Sequence, residues 1–140
     1  MEYIVYVSTA IALMSEEQLA HLLNVSRKKN KKYNVTGILL YCQGTFMQVI
    51  EGEKNNVDLI YKSIELDKRH KNIIKLSVGI ITKRNFPEWP MAFASVNAEK
   101  LREIEGFLSS TSENTLDTPD HTTVNMFKTF AAGNKQYISF

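Results

Sequence analysis

The sequence predicts an α+β fold in which a mixed β-sheet carries two helices on one face. Three observations predict it. Apolar runs with strand period alternate with two amphipathic stretches of helical period. A Gln43-Gly44 dipeptide divides one long apolar run into two, as a short hairpin does. The resulting order, βαββαββ, contains two crossovers, and right-handed connections place both on the same side of a sheet.

Each element has its own local reason. "EYIVYVS" (2–8) is a strand by composition, and "SEEQLAHLLNVSRKKNKK" (15–32) is a helix whose start is marked by the capping pair Ser15 and Gln18. "NVTGILLYCQGTFMQVIEG" (34–52) supplies two strands joined at Gln43-Gly44. In "KNNVDLIYKSIELDKR" (54–69), Val57, Ile60, Tyr61 and Ile64 recur at helical spacing. "NIIKLSVGIIT" (72–82) and "WPMAFASV" (89–96) are the last two strands, the second weakened at its start by Pro87 and Pro90. This is the element order of a ferredoxin-like layer. Beyond it, residues 98–140 read as a C-terminal helical extension. Leu101, Ile104 and Leu108 stripe a first helix, a polar connector follows, and "VNMFKTFAAG" makes a second that Gly133 ends. The first two strands are apolar on both faces while two helices cover only one, so the tail or a second subunit is expected on the other.

Composition narrows the function classes. A chain of 140 residues with 44% hydrophobic and 23% charged residues has room for one core, and a net charge of +2 is too near balance to advertise nucleic acid or an anionic membrane. The lone cysteine, Cys42, forms no intramolecular disulfide, and its apolar setting makes it a small buried hydrophobe in a reducing compartment. The apolar start follows Glu2 instead of a basic segment, and no run reaches the length of a membrane span, which points to the cytoplasm.

Three polar residues sit where the pattern expects apolar ones. Gln48 lies in mid-strand within "GTFMQVIEG", on the face of Phe46 and Ile50, where an unpartnered amide costs about 1–3 kcal/mol. It is either a core glutamine bonded to backbone or water, or a ligand contact. Asn30 continues the inner stripe of Leu19, Leu22, Leu23 and Ser26, and interrupts a basic "RKKNKK" run that otherwise complements the helix dipole. Tyr6 shares its face with Ile4 and Ser8, and a buried phenol needs a partner. Other chemistry is weak. His21, His70 and His121 lack metal-ligand spacing, and no nucleophile elbow, P-loop or dinucleotide fingerprint is present. The βαββαβ order also fits RNA-binding domains, but their aromatic third-strand motif is missing.

Taken together, "YIVYVS", "SRKKNKKYNVTGILLYCQGTFMQVIEGE", "DKRHKNI" and "RNFPEWPMAF" resemble a BLUF domain, the flavin-binding blue-light sensor, over residues 2 to 97. The resemblance implies a flavin-binding domain over 1–97 that holds FAD, or FMN, non-covalently between the two helices. It implies that Tyr6 bonds to Gln48, which in turn bonds to flavin N5 and O4, and that Asn30 bonds the O4/N3 edge while Arg69 and His70 hold the pyrimidine end. Light would drive electron and proton transfer from Tyr6 to the ring and back, leaving the Gln48 amide rotated or tautomerised and its hydrogen-bond pattern reversed. Trp89 and Met91 match the output strand beside the glutamine, and strand alternation puts both on one face with Phe93. The expected protein is a stand-alone photoreceptor, not an enzyme, signalling to a protein partner or an oligomer interface without nucleic acid or membrane. The competing readings are a ferredoxin-like ligand- or protein-binding module without photochemistry, and an RNA-binding domain that the near-neutral charge disfavours.

Overall fold

The computed structural model describes residues 1–96 and Glu99. The expected order is present: β1 (Glu2–Ala10), α1 (Glu16–Lys32), β2 (Thr36–Cys42), β3 (Thr45–Gly52), α2 (Lys54–Glu65), β4 (His70–Ile80) and β5 (Ala92–Ser95). The sheet runs β4-β1-β3-β2-β5, antiparallel throughout except that β5 lies parallel to β2. This is the ferredoxin-like layer with a fifth strand added at one edge. The C-terminal helical extension expected over 98–140 lies, but for Glu99, outside the described residues. Among the described residues no helix is long and apolar enough to cross a membrane.

Local chemistry sets the boundaries. Ser15 caps α1 with a full capping box: its hydroxyl accepts from the Gln18 N–H at 3.2 Å, and the Gln18 side-chain oxygen accepts from the Ser15 N–H at 2.9 Å. Glu16 and Glu17 open the helix, and Lys29, Lys31 and Lys32 close it, each sign complementing the dipole. Gln43 and Gly44 both have positive φ, 42° and 92°, as a two-residue hairpin turn of this hand requires. At Gly37 a Cβ would stand 1.9 Å from the Val49 carbonyl oxygen, so only glycine lets β2 lie this close to β3.

Several boundaries differ from the sequence reading: β1 runs on to Ala10 instead of ending at 8, β4 spans His70–Ile80 instead of 72–82, and two further differences have a local cause. The second helix stops at Glu65 instead of running to 69, because the Asp67 carboxylate accepts from the Arg69 N–H at 2.9 Å and folds the chain into a turn. The last strand begins at Ala92, not 89, since prolines at 87 and 90 cannot donate to a ladder.

Alternation along the strands divides the core in two. Ile4, Tyr6, Leu39, Tyr41, Phe46 and Ile50 pack against Leu19 and Leu23 of α1 and Val57, Ile60 and Tyr61 of α2. Tyr3, Val5, Ile38, Leu40, Met47 and Val49 make the opposite face, joined there by Ile81 and Phe86. Successive residues of β1 and β3 therefore serve different cores, and the polar site belongs to the helix side.

Candidate functional site

The site grows from the two central strands. Tyr6 and Gln48 are direct partners in the β1–β3 register, and Leu39 faces Gln48 from β2. All three are buried, Gln48 to 5% exposure, so its amide has no recourse to bulk water. The Tyr6 hydroxyl donates to Gln48 Oε1. Gln48 Nε2 donates to the Met91 thioether, 3.0 Å away. The mid-strand glutamine is thus satisfied at both ends by side chains, one from β1 and one from the bend just ahead of β5, not by backbone. Burial holds the Tyr6 phenol well above its ordinary range, with Tyr61 and Asp67 adding to the effect, so its proton stays in place as the donor to Gln48. The Tyr61 ring packs edge-on against Tyr6 with centroids 5.8 Å apart.

Asn30, 3% exposed, lies on the inner face of α1 and donates through Nδ2 to the Pro90 carbonyl at 2.8 Å. His70, at the start of β4, is held between the Ser8 hydroxyl, 2.9 Å from Nδ1, and the Ile64 carbonyl at Nε2. A carbonyl only accepts, so Nε2 carries a proton, and in the neutral imidazole Nδ1 accepts from Ser8. Arg69 forks onto Asp67, with Nε at 2.9 and 3.1 Å and Nη2 at 2.5 Å, which holds the Asp67 carboxyl below its usual range.

These groups line one cleft of about 150 Å³ between the helices and the sheet. Leu22 and Val25 of α1 and Ile60 and Ile64 of α2 supply apolar walls, while Leu39, Phe46, Tyr6 and Gln48 form the floor. Asn30, Arg69 and His70 stand on the same lining. Apolar walls with amides, an imidazole and a guanidinium along the rim are what a flat heteroaromatic ring needs, its faces dry and its edge carrying donors and acceptors. The donor set therefore fits a flavin.

Trp89 requires a correction. It does not share a face with Met91. Met91 joins the helix-side core and reaches Gln48, whereas Trp89 packs on the opposite core and stacks on Phe86 with centroids 5.7 Å apart. Alternation by strand period starts only at Ala92, and the bend at Pro90 turns the two side chains apart. Three contributors were missed in the sequence: Ser8 behind His70, Asp67 behind Arg69, and Arg27, whose Nε donates to the Met91 carbonyl at 2.8 Å. Only Asp67, two residues before Arg69, carried a local signal.

The family model described as "BLUF: Sensors of blue-light using FAD" matches residues 1–92. Photoactivated adenylate cyclase subunit alpha of Euglena gracilis is 30% identical over 132 residues, covering 92% of this chain and 13% of that protein. The blue light- and temperature-regulated antirepressor BluF of Escherichia coli (strain K12) is 28% identical over 126 residues, 89% of this chain and 31% of that protein. The chain spans about an eighth of the first relative's length and under a third of the second's. Among solved structures, the dark state of BlrB, a BLUF protein, superposes with a TM-score of 0.68 at 28% identity, covering 94% of this chain and 96% of that one. A bacterial light-regulated adenylyl cyclase gives a TM-score of 0.65 at 36% identity, over 81% of this chain and 34% of that one.

Proposed function

The chain belongs to the BLUF family of flavin-binding blue-light sensors, and we propose that it works as a photoreceptor whose switch is the Gln48 amide and whose output is a protein partner or an oligomer interface. The observation that carries this reading is the amide itself, buried in an apolar strand with a phenol on its oxygen and a thioether on its nitrogen. Residues 1–97 form the flavin-binding unit in this proposal. Asn30, Gln48, Arg69 and His70 would hold the ring edge. When bound, the flavin supplies absorption of blue light and a ring that accepts an electron.

The chain's own residues explain why an exchange of amide ends leaves a lasting signal. A neutral phenol both donates and accepts, so Tyr6 can bond either end of Gln48. A thioether only accepts. With Nε2 turned toward Tyr6, Met91 would face the amide oxygen, and two acceptors in a dry site repel. Met91 is therefore where the change has to be absorbed. Its main chain leads directly into β5, which lies at the sheet edge. The relatives named for cyclase or antirepressor activity are larger proteins, and here the sensing role is proposed without an enzymatic one. Cys42, buried and unpaired, supports a reducing compartment such as the cytoplasm.

The test is an absorption spectrum of the purified protein in darkness and after blue light. A yellow protein whose visible bands move to the red and return in darkness is expected; a colourless protein expressed with ample flavin would end this reading.

A further inference from the structure

Arg27 and Asn30 stand three residues apart on one face of α1 and reach adjacent carbonyls of the same segment. Arg27 Nε donates to the Met91 carbonyl and Asn30 Nδ2 to the Pro90 carbonyl, each at 2.8 Å. The β2–β5 ladder begins at Ile38 and Ala92, and ahead of it Gly37 N–H donates to the Trp89 carbonyl at 2.9 Å. The carbonyls of residues 90 and 91 are thus held by α1. Met91 is fully buried, with its sulfur on Gln48 Nε2. An unbranched thioether has no shape that fixes its own position, so where the sulfur sits depends on where the main chain is pinned. A guanidinium bond to a carbonyl is charge-assisted and is the stronger of the two pins.

We infer that Arg27 is a positioning residue for the switch: by pinning the Met91 main chain it keeps the thioether on Gln48 Nε2, and so favours the dark orientation of the amide and its return after light. This rests on the reading of Gln48 as the switch. The thioether contact exists in one amide orientation only, so loosening Met91 weakens the dark state relative to the lit one and slows the way back. A brace between α1 and β5 with no link to Gln48 would change stability alone.

The experiment uses the full flavin-loaded chain and follows dark recovery of the red-shifted band, with thermal unfolding and flavin affinity measured alongside. Arg27→Gln is expected to keep the red shift and recover ~3-fold or more slowly, about the worth of one hydrogen bond. Arg27→Lys, whose ammonium reaches the same carbonyl, is expected to recover at an intermediate rate, and it carries the test should Arg27→Gln fail to fold. In a Met91→Leu background, which has no sulfur to position, Arg27→Gln is expected to change recovery no further. An unchanged or faster recovery in the Arg27 variants, or a full additional slowing in the Met91→Leu background, overturns the inference and leaves the switch intact. A wild-type protein without a red shift would instead remove the switch itself.

Discussion

Tyr6 and Gln48 face each other across β1 and β3 in direct register, and the phenol of one donates to the amide oxygen of the other. A slip of one residue in either strand would move one of them to the opposite core, so the pairing is fixed by the same alternation that builds the sheet. Replacing either residue should spare the fold. Tyr6→Phe leaves a buried amide oxygen without its donor, and the expected cost is about 1–3 kcal/mol by denaturant unfolding. Both Tyr6→Phe and Gln48→Leu should abolish the reversible red shift, and a normal photocycle in either variant would remove Gln48 from the switch.

Alkaline pH tests the burial of Tyr6 separately. Its proton is held in the folded protein above the ordinary value of 10.0, chiefly by desolvation. Below about pH 10 both folded and unfolded chains carry the proton and stability is unaffected. Above it the unfolded chain releases the proton and the folded chain does not, so Tyr6 makes stability fall by ~1.4 kcal/mol per pH unit. Urea midpoints for the wild type and Tyr6→Phe, measured from about pH 9 to about pH 11.5, should show the steeper decline only in the wild type. Tyr61, also raised by burial, titrates in both and cancels in the difference.

Asn30→Ala removes the bond to the Pro90 carbonyl together with a donor on the cleft rim. Flavin affinity is expected to fall by ~2- to 10-fold, the worth of one hydrogen bond, while any light response keeps its direction. Titration of apoprotein with FAD measures this, and unchanged affinity would take Asn30 off the flavin edge.

Glu51 is fully buried, and its carboxylate accepts from the Phe86 N–H and from Asn85 Nδ2, the latter at 3.3 Å. Glu51→Ala leaves the Phe86 N–H unpartnered inside the protein, at an expected cost of about 1–3 kcal/mol, whereas Glu51→Gln keeps an acceptor and should lose less. Trp89, the one tryptophan of the chain, stacks on Phe86 and reports on the same place. Its fluorescence should therefore change in Glu51→Ala before global unfolding; an unaltered spectrum would mean that Glu51 does not hold this loop.

The sequence showed most clearly those features whose causes are local. Ser15 and Gln18 announce a helix start three residues apart, Gln43-Gly44 announces a hairpin, and strand alternation puts Gln48 with Phe46 and Ile50 and Tyr6 with Ile4 and Ser8. The misjudged features depend on groups far apart in the chain or on a broken period. His70 meets Ser8 across 62 positions and Arg27 meets Met91 across 64, with no pattern near either to reveal the pairing. Strand period does not extend through Pro90, where the chain is not a strand, so Trp89 leaves the face that alternation predicts for it. The end of α2 is hidden in the sequence because residues 66–69 continue a helical composition while the Asp67 and Arg69 side chains build a turn.

The packing around Gln48 bears on how the switch responds to compression. The oxygen and nitrogen ends of an amide are nearly equal in size, so exchanging them between Tyr6 and Met91 sweeps out almost no volume in a close-packed interior. Hydrostatic pressure acts on a process only through its volume change. The amide exchange by itself therefore gives pressure little purchase, and any pressure dependence of the thermal return should measure the space opened and refilled as Met91 yields and comes back. A return that required Trp89 to leave its stack on Phe86 and come back would open and refill space, and pressure would change its rate.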